Sequence, residues 1–593
     1  MATSRIKRAL VAGGAALAFG AAALAQQQQQ QRPESLLPPG FGDPAPAPAP
    51  APTAARPAAA PTAGATGAFI QPLPGVAATP LPEPSPSVSP TAVATPRYVM
   101  PASARRSLAL VGAADSFRRD AFGTADGRYL EIVMRRLSAP LPSRWLSIAL
   151  RRMLVARVDT PRGLNGADFA AERAWLLLRM GESVGARAVV QAVDTDRVTP
   201  KLRQVWMQAA LANGDPGGLC PLAPTAGNAE RGWVVARAMC AGLTGDTRAR
   251  ALIADARRQR VASGIDLQLA QKVMGAGVDS RQAITVDWTP VVQLTAWRFG
   301  LAVATGATVP DELYATVGAQ VTGWRALAPG IPLIQRAAAA DRAAAMGVVS
   351  SAALVDLYSA LADADDVPGA LTRTTNGLRD AYVAADDGAR LSALGALWDG
   401  ASDDAGRYAR LILTAHAAAR VTPRAGVDQA DRLVAAMLSA GMDRTALRWQ
   451  PYVRVGGDAW AMLLLADPDA RGIRPGSIIG DYTPEGATAQ RRKQMFFAAL
   501  AGLGRLSAAD VEENAATLDV RIGSPNGWTR AIDRAAAEGQ AGTVLLLAAT
   551  GMQAGNWRAV PPAALYRALR SLRAVGLDGE ARMIAAEAIA RLA

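Results

Sequence analysis

From about residue 99 to residue 593, apolar side chains recur at helical spacing in short runs punctuated by glycine. Ala171, Ala174, Trp175 and Leu178 fall at i, i+3, i+4 and i+7, which places them on one stripe of a helix. Gly181 stands where that helix closes, in a position that favours the left-handed backbone glycine adopts freely. The final residues repeat the grammar. Pro561-Pro562 opens a helix, Leu565, Ala568, Leu569 and Leu572 share a face, and Gly576 ends it. Asp578 is expected to cap the next helix, with Ala581, Ile584, Ala585 and Ala588 as its stripe and Glu580 and Arg591 placed to suit the helix dipole. Two helices joined by a glycine turn make a hairpin.

The hairpin recurs. Gly181 precedes Ala186-Arg187-Ala188, Gly245 precedes Ala249-Arg250-Ala251, and Gly576 precedes Ala581-Arg582-Met583. Trp145, Trp175, Trp206 and Trp233 stand 27 to 31 residues apart, as do the pairs Trp297/Trp324 and Trp528/Trp557. A period near thirty residues is what paired antiparallel helices with short turns produce. In this pattern residues 125–593 resemble the tetratricopeptide-type helical-repeat superfamily. That resemblance implies an all-α superhelix of stacked hairpins, an α-solenoid, and a tendency to bind partners; it carries no site residue. Abundant alanine lets the helices approach closely while Trp and Leu fill the gaps, so the tryptophans are expected in the core. The stretches Ile284 to Trp297 and Gly472 to Pro484, rich in proline, glycine or β-branched residues, are expected to be irregular connections.

The N-terminus reads differently. Arg5, Lys7 and Arg8 form a positive segment, an apolar stretch follows from Ala9, and Ala23-Leu24-Ala25 supplies the small residues a signal peptidase accepts. Residues 1–25 are therefore expected to be a signal peptide cut between Ala25 and Gln26, without lipoprotein processing because no cysteine is near. Residues 26–98 combine a glutamine run with Pro/Ala and Pro/Ser/Thr stretches; proline fixes φ and removes backbone donors, so a disordered tether is expected there. The apolar islands at 36–41 and 69–73 are either docking motifs or tolerated interruptions. Residues 99–593 form the helical repeat domain, and no segment in them is apolar and long enough to span a bilayer.

Composition then removes chemistries. One histidine and two cysteines exclude a Cys/His zinc cluster and a disulfide-dense scaffold. The net charge is +13, but only four lysines are present and the arginines are scattered. Short basic runs such as Arg257-Arg258 and Arg491-Arg492-Lys493 read as solvated helix faces, so no nucleic-acid partner is expected. The residues before the four lysines, Ile6, Pro200, Gln271 and Arg492, exclude a phosphate-cradling Gly-Lys-Ser/Thr loop. Ser-x-x-Lys occurs only as Ser4 to Lys7, within the leader. His416 lies on an expected helix, with no Gly-x-Ser-x-Gly elbow anywhere to pair with it. Glu182-Ser183 resembles the opening of the lytic transglycosylase motif, yet the Gly-Leu-Met-Gln continuation is missing, and a helix N-terminus accounts for Glu182. Asp363, Asp365, Asp366, Asp386, Asp387, Asp403 and Asp404 lack a calcium-loop pattern and read as helix caps.

Cys220 lies in a Gly/Pro-rich loop and Cys240 late on a helix starting near Asn228; export to an oxidising compartment makes a structural disulfide the expected state. No catalytic, cofactor or metal site is expected. The chain reads as a periplasmic or secreted, non-catalytic helical-repeat scaffold or adaptor that binds an envelope protein. The alternatives are a binder of an anionic envelope polymer such as a polysaccharide, or a cell-wall glycan-cleaving enzyme that uses carboxylates.

Overall fold

The computed structural model describes residues 101–227, 230–276, 284–470 and 472–593. The leader, its cleavage between Ala25 and Gln26, and the linker 26–98 lie outside the described residues. The described chain falls into two units that divide between Arg105 and Arg106. In the first, the described part is one 3-10 turn, Ala102–Ala104, with no buried residue. The second is built from helices. Its one described β-ribbon pairs Leu110–Val111 antiparallel with Val158–Asp159, Leu110 facing Asp159.

Hairpins dominate the packing. Gly166–Arg179 lies against Ser183–Gln191, Gln320–Leu327 against Leu333–Ala345, Gly369–Val383 against Asp387–Asp399, Asp404–Ala418 against Ala430–Ser439, and Pro562–Ala574 against Asp578–Ala590. The turns form as the sequence dictates, for Gly181, Gly245 and Gly576 all take left-handed φ values, of 87°, 71° and 82°. The expected stripes are buried, and Trp175, Trp206, Trp233, Trp324 and Trp557 sit in the core. Trp206 and Trp324 donate their indole N–H groups to Gly218 O and Leu178 O, which lets a polar atom enter an apolar interior. One expected detail changes. Leu577, not Asp578, occupies the N-cap; Asp578 lies in the first turn, where its carboxylate accepts from Arg582 Nε at 3.0 Å.

Contacts also run far beyond neighbouring hairpins. The early helix Arg144–Val155 packs against Ala541–Met552 and Asp578–Ala590, and Leu333–Ala345 packs against Asp404–Ala418. Glu587, on the last helix, caps the early one: its carboxylate accepts from Ser143 Oγ at 2.6 Å, Arg144 N at 2.8 Å and Trp145 N at 3.2 Å. Those are the donors a helix N-terminus leaves unpaired. Arg144 itself is buried and donates to the carbonyls of Ala344, Val349 and Ser439, so one guanidinium ties three helix ends together. Among the described residues no helix is long and apolar enough to cross a membrane.

Candidate functional site

The residues singled out from sequence scatter through the structure. Cys220 and Cys240 are bonded, S–S 2.11 Å and Cα–Cα 5.4 Å, pinning the turn Pro216–Leu219 to the helix Arg231–Leu243; Asn228 lies outside the described residues. His416 is exposed on Asp404–Ala418. Asp386 and Asp403 cap helices, accepting from Ala389 N and Gly406 N at 2.8 and 2.7 Å. Glu182 stands at a helix N-terminus after the Gly181 turn, as expected, but its carboxylate is engaged elsewhere. It occupies an N-cap position without a capping bond; its carboxylate is buried and held by Arg151 Nη1 at 2.8 Å, and the same Nη1 donates to Gly347 O. Burial pushes its pKa up to about 7, against the pull of Arg151. This is a clamp between the Gly181 turn, the early helix and the Gly347 turn.

Two adjoining cavities flank the connection that leads into Asp404–Ala418; larger ones, of about 770 and 840 Å³, lie beside Ala249–Arg258 and between Ala508–Thr517 and Pro562–Ala574. One cavity, of about 610 Å³, is walled by Tyr314, Arg325, Asp341, Arg342, Asp403 and Arg410 together with small residues of two connections and of the helices beside them. A second, of about 410 Å³, has Trp398, Tyr408, Leu411, Ala435 and Met462 at its apolar surface. Its charged wall is made by Asp399, Asp404, Arg407, Asp431, Arg432, Asp458, Arg558 and Arg591. Ala401 lines both.

The same three-residue arrangement stands behind each cavity: Asp341 and Arg410 reach the wall of the first, and Asp458 alone reaches that of the second. In the first, Tyr358 Oη donates to Asp341 Oδ1 at 2.9 Å, and Arg410 Nη2 pairs with Asp341 Oδ2 at 3.2 Å. In the second, Tyr482 Oη donates to Asp458 Oδ1 at 2.6 Å, and Arg492 pairs with Asp458 Oδ2. Burial raises both carboxyl groups above the ordinary aspartate range, while the tyrosine and arginine partners oppose that rise. The two tyrosines are pushed well above their usual range by burial and by the facing carboxylates, so they remain protonated donors. Asp341 arises from a helix that is otherwise nearly all alanine on its packed side, where Ala337, Ala340, Ala343 and Ala344 allow close approach.

A second feature is also duplicated. Arg325 stacks 4.3 Å from the ring of Tyr314 in the first cavity, and Arg591 stacks 4.4 Å from that of Tyr408 in the second. Most wall charges are paired: Arg342 with Asp403 at 3.4 Å, Arg432 with Asp399 at 2.7 Å, and Arg407 with Asp404. Three arginines and two aspartates line the first cavity, four of each the second, so the two together carry a net charge of only +1. Among the described residues no group of three or more His, Cys, Asp or Glu side chains is placed to hold a metal ion. Comparisons of the chain with protein-family models, with curated proteins and with solved structures find no match.

Proposed function

We propose that this chain is an exported, non-catalytic scaffold of tetratricopeptide-like hairpins that binds a partner of the cell envelope in the paired cavities beside Asp404–Ala418. The observation that carries this reading is that two cavities meet at Ala401, the first polar and the second part apolar, and each is reached by an aspartate already fixed by a tyrosine and an arginine. A carboxylate with both oxygens engaged is suited to holding a ligand in one geometry rather than to taking a proton from it. The cross-linked pair Cys220–Cys240 supports export, since such bonds persist in oxidising compartments. The tether 26–98 supplies reach.

The test uses Ala401→Trp, which puts a bulky ring into both cavities from an exposed connection. Affinity capture from envelope extracts with the full mature chain, with A401W and with a chain lacking residues 26–98 should give a component that A401W loses. Retention of every captured component by A401W would remove the groove from consideration. Release of soluble fragments from cell-wall glycan by the pure protein would instead favour catalysis.

A further inference from the structure

The charge balance of the two cavities restricts what they can hold. A polyanion site needs clustered, uncompensated cations, whereas seven arginines here face six aspartates. A protein partner is anchored by large apolar side chains filling dry pockets. The first cavity offers no such pocket, its wall being arginine, aspartate, serine, threonine, valine and small residues around one tyrosine; the second sets its apolar Trp398, Tyr408, Leu411 and Met462 among eight charged side chains.

The bonding capacity of the aspartates narrows the choice further. A carboxylate oxygen has room for two donors. In Asp341 and Asp458, Oδ1 holds a tyrosine hydroxyl and Oδ2 an arginine, which leaves one acceptor position on each oxygen. Both side chains reach the cavities, with 21% and 15% of their surface exposed. Guanidinium donors stand in the same walls, Arg410 in the first cavity and, in the second, Arg558, which is exposed and has no ion-pair partner among the described residues. A ligand group that meets both must donate to a carboxylate and accept from a guanidinium. A carboxylate cannot donate, a phosphate brings charge that the balanced walls do not call for, and an ammonium cannot accept; a hydroxyl or an amide does both, and sugars carry hydroxyls in number. The arrangement occurs twice in adjoining cavities, as does the arginine-stacked tyrosine, so the ligand should present the same group at a repeat.

Resting on the binding role given above, the geometry points to a neutral oligosaccharide as the ligand, with successive sugar residues in the two cavities and their hydroxyls bridging aspartate and arginine. The volumes, about 610 and 410 Å³, lie in the range of small-molecule sites.

The experiment is calorimetric titration of the full mature protein with β-1,4-linked N-acetylglucosamine dimer and hexamer and with maltose and maltohexaose. Polyphosphate and polyglutamate serve as anionic probes. At least one hexamer should bind at least about tenfold more tightly than its dimer, because it engages both cavities. That binding should change little as salt is raised, since few counterions are displaced. A401W and Arg558→Gln should each weaken it while the unfolding transition stays where it was; R558Q, at an exposed position, answers the question if A401W folds poorly. Failure of both hexamers to bind, equal affinity for dimer and hexamer, or salt-sensitive binding of the anionic probes in their place would overturn the assignment. If no sugar binds but A401W still abolishes capture of an envelope component, the ligand class is wrong and the groove stands. If A401W alters neither, both are wrong.

Discussion

Replacing Glu587 tests the bond between the two distant parts of the fold. In Glu587→Ala the N–H groups of Arg144 and Trp145 and the hydroxyl of Ser143 lose their acceptor in a site where Ser143 and Arg144 are buried. Each buried donor left unpaired costs roughly 1–3 kcal/mol. The Ser143 hydroxyl can rotate, so two backbone donors set the scale, and relief of the buried carboxylate's own desolvation offsets part of the loss. The expected cost is about 2–4 kcal/mol. Glu587→Gln keeps the side-chain volume and one oxygen, so it should lose about half as much. Equilibrium urea unfolding followed by tryptophan fluorescence measures both, and an unchanged slope shows that only stability moved. Amide exchange at Arg144 and Trp145 should rise in both variants. A cost under about 1 kcal/mol for E587A, or equal costs for the two variants, would refute the claim that this carboxylate caps the early helix.

Removing the disulfide with Cys220→Ala/Cys240→Ala frees a chain segment spanning 20 residues and should cost about 3 kcal/mol under oxidising conditions; a reductant should reproduce the loss in the wild-type protein. Glu182 binds its proton more tightly when folded, with a pKa raised from 4.5 to about 7. Its contribution is therefore fully present below about pH 4.5 and is lost as pH rises to about 7, by at most roughly 3 kcal/mol, so urea titrations at the two ends should show Glu182→Gln flattening that fall. Gly576→Ala, strained only by its φ of 82° with open space around it, should cost about 1–2 kcal/mol. Gly347→Ala should cost more in the same assay, because at φ 92° its added carbon also meets Arg144 O at 2.9 Å.

Legibility in the sequence followed range. Gly181, Gly245 and Gly576 could be assigned to turns because a left-handed residue closing a helical stripe is a local signal. Cys220 and Cys240 could be paired because no other thiols compete. Asp578 shows where local reasoning fails: a capping residue type followed by a clean stripe pointed to an N-cap, but Arg582 one turn on takes its carboxylate. For Glu182 the helix N-terminus was legible and its carboxylate's partner was not, since Arg151 lies on another helix. The cavities were invisible for the same cause. Asp341 meets Tyr358 and Arg410, 17 and 69 residues on, and Asp458 meets Tyr482 and Arg492, 24 and 34 residues on, separations that no periodic pattern links. The one trace was an Asp-Arg pair interrupting the alanine run from Ala337 to Ala345. Glu587 left no trace at all.

The seating of Arg144–Val155 on Ala541–Met552 and Asp578–Ala590 also dictates an order of events during biosynthesis. At ribosomal speeds of about 5–20 residues per second, some 20–90 seconds pass between the emergence of Ser143 and that of its acceptor 444 positions later. For that interval the early helix has an uncovered greasy flank. A premature stop within the last helix would thus damage the front of the molecule as surely as its tail.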